Sequence, residues 1–256
     1  MFNLHMHTWR CHHASGEDEE YILKAIKNGY KTVGFSDHAP YVFPADHFSS
    51  FRMECELTED YVSSVRYLQE KYKGIIDIKL GFEVEWYPKF IKEELQYLKS
   101  FNYDYIILGQ HYTDSEVEPE ARYTGSKTND ILTFKKYVNQ VIDGAQSGEF
   151  AYIAHPDLIN FTGSRAVYRE GMEYMVKRLK ETDVPLEFNF LGYTDRRNYP
   201  NDDFWKIVSE TGNRVVIGLD AHNPEVYNDN ERLNQMKEKI ASFGITPIGN
   251  VNEILK

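Results

Sequence analysis

Short apolar runs alternate with longer helical segments along the whole chain. The apolar runs, rich in β-branched and aromatic residues, are FNLHMH, TVGFSDH, IDIKLGFEVE, YDYIILGQH, FAYIAHP, PLEFNF, RVVIGLDAH and ITPIGN. Strands and helices that alternate in this way are typical of an α/β protein with a parallel sheet. About seven repeats, with no Gly-x-Gly-x-x-Gly turn after the first strand, favour a closed (β/α)-barrel over an open sheet. We therefore expect residues 1–256 to form a single barrel domain.

Side chains that can bind a metal stand at the ends of six of these runs. They are His5 and His7, Asp37 and His38, Glu83 and Glu85, His111, His155, and Asp220 with His222. In a parallel barrel the C-terminal strand ends meet at one mouth, where active sites lie. One histidine at a strand end is usually an ordinary polar residue, but the same pattern at six ends favours a shared metal site.

Two of these strand ends carry ligand pairs separated by one residue. His5 and His7 flank Met6, and Asp220 and His222 flank Ala221. Because side chains alternate between the two faces of a strand, both members of each pair point the same way and the apolar residue points to the other face. Each pair can bind one ion or two neighbouring ions.

The donor set is rich in imidazole, with carboxylates that can bridge ions. Imidazole suits zinc, manganese, iron and other transition metals, so the sequence leaves the metal open among these. Each ion needs about three or four protein ligands and an open position for water. The sequence therefore predicts two or three divalent transition-metal ions.

The charge balance indicates which partners to expect. The formal net charge is −11, and no basic stripe is present, which argues against a nucleic acid or an anionic membrane surface as partner. Two cysteines give no disulfide framework, and neither a signal region nor a membrane-length apolar run stands out. We expect a cytoplasmic protein that acts on a small molecule, with its oligomeric state left open.

The motifs resemble those of the PHP family, named for polymerase and histidinol phosphatase domains. The resemblance covers essentially the whole chain, in HMHTWRCHHA, FSDHAP, LGFEVEW, LGQHY, IAHPDL and GLDAH. The AHPDL and LGFEVEW stretches are similar to the histidinol-phosphate phosphatase branch. The resemblance implies a distorted (β/α)7 barrel with a trinuclear metal site.

The resemblance also implies nine metal ligands. These are His5, His7, His13, His38, Glu83, His111, His155, Asp220 and His222. In the family's pattern His5, His7, Glu83 and Asp220 hold one ion; Glu83, His111 and His155 hold a second; and His13, His38 and His222 hold a third. Glu83 would bridge two of them. On this basis His12 is expected to be a bystander and Cys11 to serve packing.

The implied activity is hydrolysis of L-histidinol phosphate to L-histidinol and phosphate, a step in histidine biosynthesis. Clustered cations neutralise a phosphate dianion, lower the pKa of a bound water and stabilise the leaving oxygen. The hypothesis is in-line attack on phosphorus by a metal-bound water held by Glu83, Asp220, His5 and His7. The alternative within the family is another small phosphomonoester or a nucleotide.

Two other classes of protein share some of these features. A metal-storage or regulatory protein without catalysis would need neither an open coordination position nor phosphate-binding arginines. An amidohydrolase-type barrel typically bridges its ions with a lysine, whereas Glu83 fills that position here. Both features favour the phosphoesterase.

Substrate contacts are assigned on residue chemistry. The guanidinium fork of arginine matches phosphate, and Arg196 and Arg197 follow the sixth run, with Arg196 preferred and Arg165 a weaker candidate. The family has an arginine in a similar loop. Glu17 is a candidate partner for the cationic end of the substrate.

Two expectations concern the surroundings of the ligands. Asp37 and Glu85 stand beside ligand motifs, and we expect them to orient histidine rings rather than to bind metal. The long aromatic segment 41–57, which includes His47, is expected to form a lid over the mouth.

Overall fold

The computed structural model describes residues 1–43, 47–119 and 121–255. Its strands are β1 (Phe2–Asn3), β2 (Thr32–His38), β3 (Asp77–Val84), β4 (Tyr105–Leu108), β5 (Leu186–Asn189) and β6 (Val215–Gly218). Its α-helices are α1 (Asp18–Lys27), α2 (Thr58–Lys71), α3 (Ile91–Lys99), α4 (Ile131–Gln146), α5 (Arg165–Thr182), α6 (Phe190–Thr194), α7 (Asp202–Thr211) and α8 (Asn230–Ser242). Short 3-10 helices span Trp9–Cys11, Cys55–Leu57, Pro224–Asn228 and Val251–Glu253.

The strands form a curled parallel sheet. In the described residues, β1, β2, β3 and β4 pair in that order, and β5 pairs with β6. Isolated parallel bridges connect the two groups, from Leu108 to Ile153, from Ile153 to Leu186 and from Met6 to Ala221. The predicted α/β class with a parallel, curved sheet is therefore confirmed.

Three predicted strands are shorter than expected or absent. The first pairs only through Phe2 and Asn3, followed by the single bridge at Met6. The segment FAYIAHP makes only the bridges at Ile153, since Pro156 lacks an amide hydrogen to continue a ladder. The segment ITPIGN has no ladder pairing and touches the sheet through one hydrogen bond from Ile248 N to Val215 O, 2.7 Å long.

The core lies between the sheet and its helices. Every residue of β2 is buried, as expected for a central strand covered on both faces. Helix α7 turns its apolar side inward, where Trp205 packs against Phe188 of β5 with ring centroids 4.6 Å apart.

No helix in residues 1–43, 47–119 or 121–255 combines the length and apolar character that a membrane span requires.

The strand register brings ligand candidates together. His38, the last residue of β2, is paired with Glu83 near the end of β3. Met6 and Ala221 are fully buried and form a bridge with each other, so the two flanking pairs point to the opposite face as the alternation predicts. The C-terminal ends of the strands therefore converge on one cluster of imidazoles and carboxylates.

Candidate metal centre

Glu83 lies at the centre of this cluster. Its Oε2 is 3.6 Å from His5 Nε2, 3.5 Å from His7 Nε2 and 3.1 Å from His38 Nδ1. Its Oε1 is 2.9 Å from His155 Nε2 and 3.9 Å from His111 Nε2. One buried carboxylate thus presents its two oxygens to two separate groups of histidines, an arrangement that fits a bridge between two cations.

The close approach of Glu83 depends on a glycine. A Cβ placed on Gly109, in the LGQH motif, would lie 1.9 Å from Glu83 Oε1. Any side chain at this position would displace the carboxylate, because contacts this short do not occur between unbonded atoms. The glycine after β4 therefore keeps open the space that Glu83 occupies.

Asp220 completes a second part of the cluster. Its Oδ1 is 3.1 Å from His7 Nε2 and 3.4 Å from His5 Nε2. Donor atoms of His5, His7 and Asp220 all lie within 4.8 Å of one another, as do those of His5, Glu83 and His155. Each of these groups is compact enough to hold one ion.

His13 and His222 face each other in a way that favours a cation between them. His13 Nδ1 lies 2.7 Å from Cys11 O, and His222 Nδ1 lies 2.9 Å from Asp220 O. A carbonyl only accepts, so both Nδ1 atoms carry the proton in the tautomers that this network assigns. The two bare Nε2 lone pairs are then 3.0 Å apart, which is repulsive unless a cation binds both.

The pKa shifts agree with neutral rings at this pair. Burial, and then the charge of His7, lower the pKa of His13, and the same two causes lower the pKa of His222 to about 3. The pKa of His38 also falls well below its usual value, through burial and His7. Neutral imidazole is the form that binds a metal.

The opposite shift marks His5 and His7. Burial alone would lower the pKa of His5, but the charges of Asp220, Glu187 and Glu83 raise it well above its usual value. The pKa of His7 rises to about 9 against the same burial, through the neighbouring carboxylates of Asp220 and Asp37. These rings lie where positive charge is stabilised, and a metal ion can supply that charge in place of a proton.

Several buried atoms fit a metal and have no other partner. Among the described residues, His5 Nε2, His7 Nε2 and Glu83 Oε2 have no hydrogen-bond partner. Buried polar atoms are normally paired, because an unpaired one costs about 1–3 kcal/mol. A cation bound by these atoms would satisfy all three, so the residues present fit a multinuclear metal site.

Two of the candidate ligands have a strained backbone. His155 has φ 29° and Asp220 has φ 51°, both in the left-handed region. Residues other than glycine rarely adopt this region, and such strain is concentrated at functional sites. At the ends of their strands, the positive φ values change the direction in which both side chains leave the backbone.

Three carboxylates orient histidine rings by contacting the ring nitrogen that points away from the cluster. Asp37 Oδ1 is 3.4 Å from His7 Nδ1, and Glu85 Oε1 is 3.0 Å from His111 Nδ1, the positions that the sequence predicts for these two residues. Glu187 Oε1 is 2.7 Å from His5 Nδ1 and was not predicted. Each leaves the ring's Nε2 directed at the cluster, since one nitrogen donates to the carboxylate.

The remaining residues of the first motif differ in role. His12 is exposed on a left-handed backbone and pairs with Glu54 at 3.3 Å, away from the cluster, as expected of a bystander. Cys11 is fully buried, yet its sulfur lies within 4.8 Å of donor nitrogens of His13 and His222. It therefore packs against the ligands rather than in a distant part of the core.

The structure separates the arginine candidates. The Nη1 of Arg197 is 3.1 Å from the hydroxyl of Tyr199, whose ring lies 5.7 Å from that of His155. Arg196 is exposed, with φ 54°, and its side chain makes no ion pair within the described part of the chain. Arg165 is also exposed and forms a fork with Asp203 at the start of α7. Arg197 is exposed as well, but of the three it is the one connected to a candidate ligand, through Tyr199.

Glu17 and the predicted lid lie at the rim. Glu17 is exposed and precedes α1, where its backbone N–H donates to Glu20. In the segment 41–57, Pro44, Ala45 and Asp46 lie outside the described residues. Phe51 packs edge-on against His38 at 5.3 Å and lies 5.9 Å from His111. The described part of this segment therefore covers two candidate ligands.

Comparisons with known proteins agree on one family. The PHP domain family model matches residues 3–190. A histidinol-phosphatase from Bacillus subtilis is 30% identical over an alignment of 249 positions that covers 85% of this chain and 92% of that protein. A probable histidinol-phosphatase from Deinococcus radiodurans is 28% identical over an alignment of 226 positions that covers 86% of this chain and 85% of that protein.

A solved structure has the same fold. It is histidinol phosphate phosphatase from Lactococcus lactis in complex with zinc, L-histidinol and phosphate. The TM-score is 0.73 at 20% identity, with 96% of this chain and 95% of that chain covered.

Proposed function

Because the chain belongs to the PHP domain family, we propose that it is a metal-dependent phosphomonoesterase that hydrolyses L-histidinol phosphate to L-histidinol and phosphate. The observation that carries the proposal is Glu83, a buried carboxylate with one oxygen facing His155 and the other facing His38. Divalent ions in such a site, when bound, supply charge neutralisation and activation of water for attack on phosphorus.

The ligand sets follow the contacts around the two bridging oxygens. His5, His7, Glu83 and Asp220 would hold one ion; Glu83, His111 and His155 a second; and His13, His38 and His222 a third. The first set is supported by the compact His5, His7 and Asp220 group, and the second by the short distance from His155 to Glu83. The third is supported by the opposed Nε2 atoms of His13 and His222. Zinc fits these donors, as do manganese and iron.

Arg197 is the proposed phosphate contact. Burial alone would lower the pKa of its guanidinium, but Tyr199, Asp195 and Asp220 raise it above its usual value, so the group stays charged. Asp195 occupies part of the fork, at 3.0 Å, and leaves Nη1 directed at Tyr199. Tyr199 connects this guanidinium to His155, so Arg197 would be available to a phosphate bound at the proposed metal site. Arg196 remains the second candidate for the phosphate, and Glu17 the candidate for the cationic end of the substrate.

The finer description of the fold is part of the same proposal. We count the segment around Ile153 as a fifth strand, which gives a distorted seven-stranded barrel closed by the bridge from Met6 to Ala221. The chain would act as one domain on a small phosphate ester. A cytoplasmic location and the absence of a nucleic-acid partner remain predictions from the net charge of −11 and the two cysteines.

A substrate panel tests the proposal. The metal-loaded protein is assayed for phosphate release from L-histidinol phosphate and from other small phosphomonoesters and nucleotides at equal concentration. We expect kcat/KM for L-histidinol phosphate to exceed the others by at least about tenfold, a difference of about 1.4 kcal/mol in transition-state binding. Preference for another ester would support the alternative within the family, and no phosphatase activity would refute the proposal.

A further inference from the structure

Arg52 is a fully buried arginine in the segment that covers the metal centre. It is 2% exposed and reaches three groups on three different parts of the chain. Its Nη2 donates to Glu85 Oε2 at 2.7 Å, its Nε to Glu116 Oε1 at 2.5 Å, and its Nη1 to Ala39 O at 2.7 Å. A buried charge with this many partners has a defined geometry, because each of the three nitrogens of the rigid fork donates a hydrogen bond.

One of these partners leads directly to a candidate ligand. Glu85 uses Oε2 for Arg52 and Oε1 for His111 Nδ1, at 3.0 Å. The ion pair therefore fixes which oxygen meets the histidine and in which direction. With its Nδ1 held in this way, His111 presents Nε2 to Glu83, where the second ion would be bound.

The same arginine holds the covering segment against the centre. The guanidinium lies over the ring of Phe51, 4.4 Å from its centroid, and over the ring of Tyr41, 5.1 Å away. Phe51 in turn packs on His38 and His111. The carbonyl that Nη1 binds belongs to Ala39, the residue after His38.

We propose that Arg52 is a positioning residue that couples the covering segment, residues 47–57, to the metal centre by holding Glu85 against His111. The proposal rests on the proposed function only in taking His111 as a metal ligand. Glu116 belongs to a second loop, and its ion pair with Arg52 joins that loop to the covering segment without contacting a ligand. The two carboxylate partners of Arg52 therefore have separable roles.

Coupling of this kind works in both directions. If the Arg52–Glu85 pair strengthens metal binding through His111, metal binding must strengthen the hold on the covering segment by the same factor. Metal removal should therefore loosen residues 47–57 in wild-type protein. That response should vanish in a variant in which Glu85 no longer orients His111.

Metal affinity in four variants tests the proposal. Metal per chain is measured by mass spectrometry against a competing chelator for Arg52→Lys, Arg52→Met, Glu85→Gln and the matched control Glu116→Gln. We expect Arg52→Met and Glu85→Gln to weaken one ion about 10–100-fold, the usual cost of losing an outer partner. Arg52→Lys should recover part of that loss, and Glu116→Gln should keep wild-type affinity.

Hydrogen exchange of residues 47–57, with and without metal, gives a second readout that does not depend on turnover. Metal should protect this segment in wild type and in Glu116→Gln, and should have no effect on it in Glu85→Gln. Unchanged metal affinity in Glu85→Gln, or an equal loss in Glu116→Gln, would overturn the proposal. If Arg52→Met does not fold, the comparison of Glu85→Gln with Glu116→Gln decides. A wild-type protein that binds no metal would instead refute the proposed function.

Discussion

Replacement of Glu187 by glutamine should trap His5 in the wrong tautomer. Glu187 Oε2 accepts from His155 N at 3.0 Å and from Asn189 Nδ2 at 2.8 Å, while Oε1 accepts from His5 Nδ1 at 2.7 Å. In Glu187→Gln the amide oxygen would meet the two donors, so the NH2 group would face His5. The ring would then have to accept at Nδ1 and carry its proton on Nε2, the atom that should bind metal.

The size of the effect follows from what one such partner contributes. Loss of an outer-shell partner typically lowers metal affinity or activity about 10–100-fold, or about 1.4–2.7 kcal/mol. The alternative amide orientation would spare His5 but set an NH2 group against two buried donors, at a cost to stability of about 1–3 kcal/mol. A Cβ on Gly218 would lie 1.6 Å from Glu187 Oε1, so this glycine keeps open the space that the Glu187 side chain occupies.

The assay is a chelator competition that reports metal affinity, run beside kcat/KM for L-histidinol phosphate. The control is Glu149→Gln, which removes an ion pair with Lys99 near the surface and should change neither quantity. If Glu187→Gln matched wild type in metal affinity, turnover and thermal stability, the assigned tautomer of His5 would be incorrect.

Three further predictions use other parts of the structure. Arg197→Ala should raise KM about 10–100-fold, the value of a charge-assisted hydrogen bond, whereas Arg196→Ala should change KM less than about twofold in steady-state assays. His13→Ala should lose about one ion per chain and His12→Ala almost none, as measured by metal analysis. The reverse result would show that His12, and not His13, is the metal ligand of this motif. Burial raises the pKa of Glu94 from 4.5 to about 8, so the folded state keeps a proton that the unfolded state releases, and stability falls as pH rises across that window. Glu94→Gln should therefore gain stability over wild type by up to about 1.4 kcal/mol per pH unit between those values, and a constant difference in urea unfolding would contradict this.

The sequence was most informative where periodicity and strand position act together. His5 and His7, and Asp220 and His222, stand two residues apart at strand ends, so alternation alone places each pair on one face. Their convergence needs only that the strands be parallel, which the alternation of strands and helices predicts. The position of Asp37 and Glu85 directly beside ligand motifs made their orienting role predictable in the same way.

Contacts that depend on tertiary packing were not predictable. Arg52 lies in a segment with no regular period, and its three partners are 13, 33 and 64 residues away in sequence. Glu187 gave a weak signal, because a charged and an amide residue alternate with apolar ones in the strand LEFN. The sequence does not distinguish Arg197 from Arg196 as a phosphate contact. The left-handed backbone at Arg196 cannot be inferred from two adjacent arginines.

Metal dependence of L-histidinol phosphate hydrolysis tests the central claim most directly. The protein is stripped with a chelator, freed of it by gel filtration, assayed, and assayed again after stepwise addition of zinc or manganese. The account predicts that phosphate release falls at least about 100-fold on stripping and returns as two or three ions bind per chain, since the residues around Glu83 need those ions to act on phosphate. Full turnover by the stripped protein, with metal content confirmed below one ion in ten chains, would contradict it.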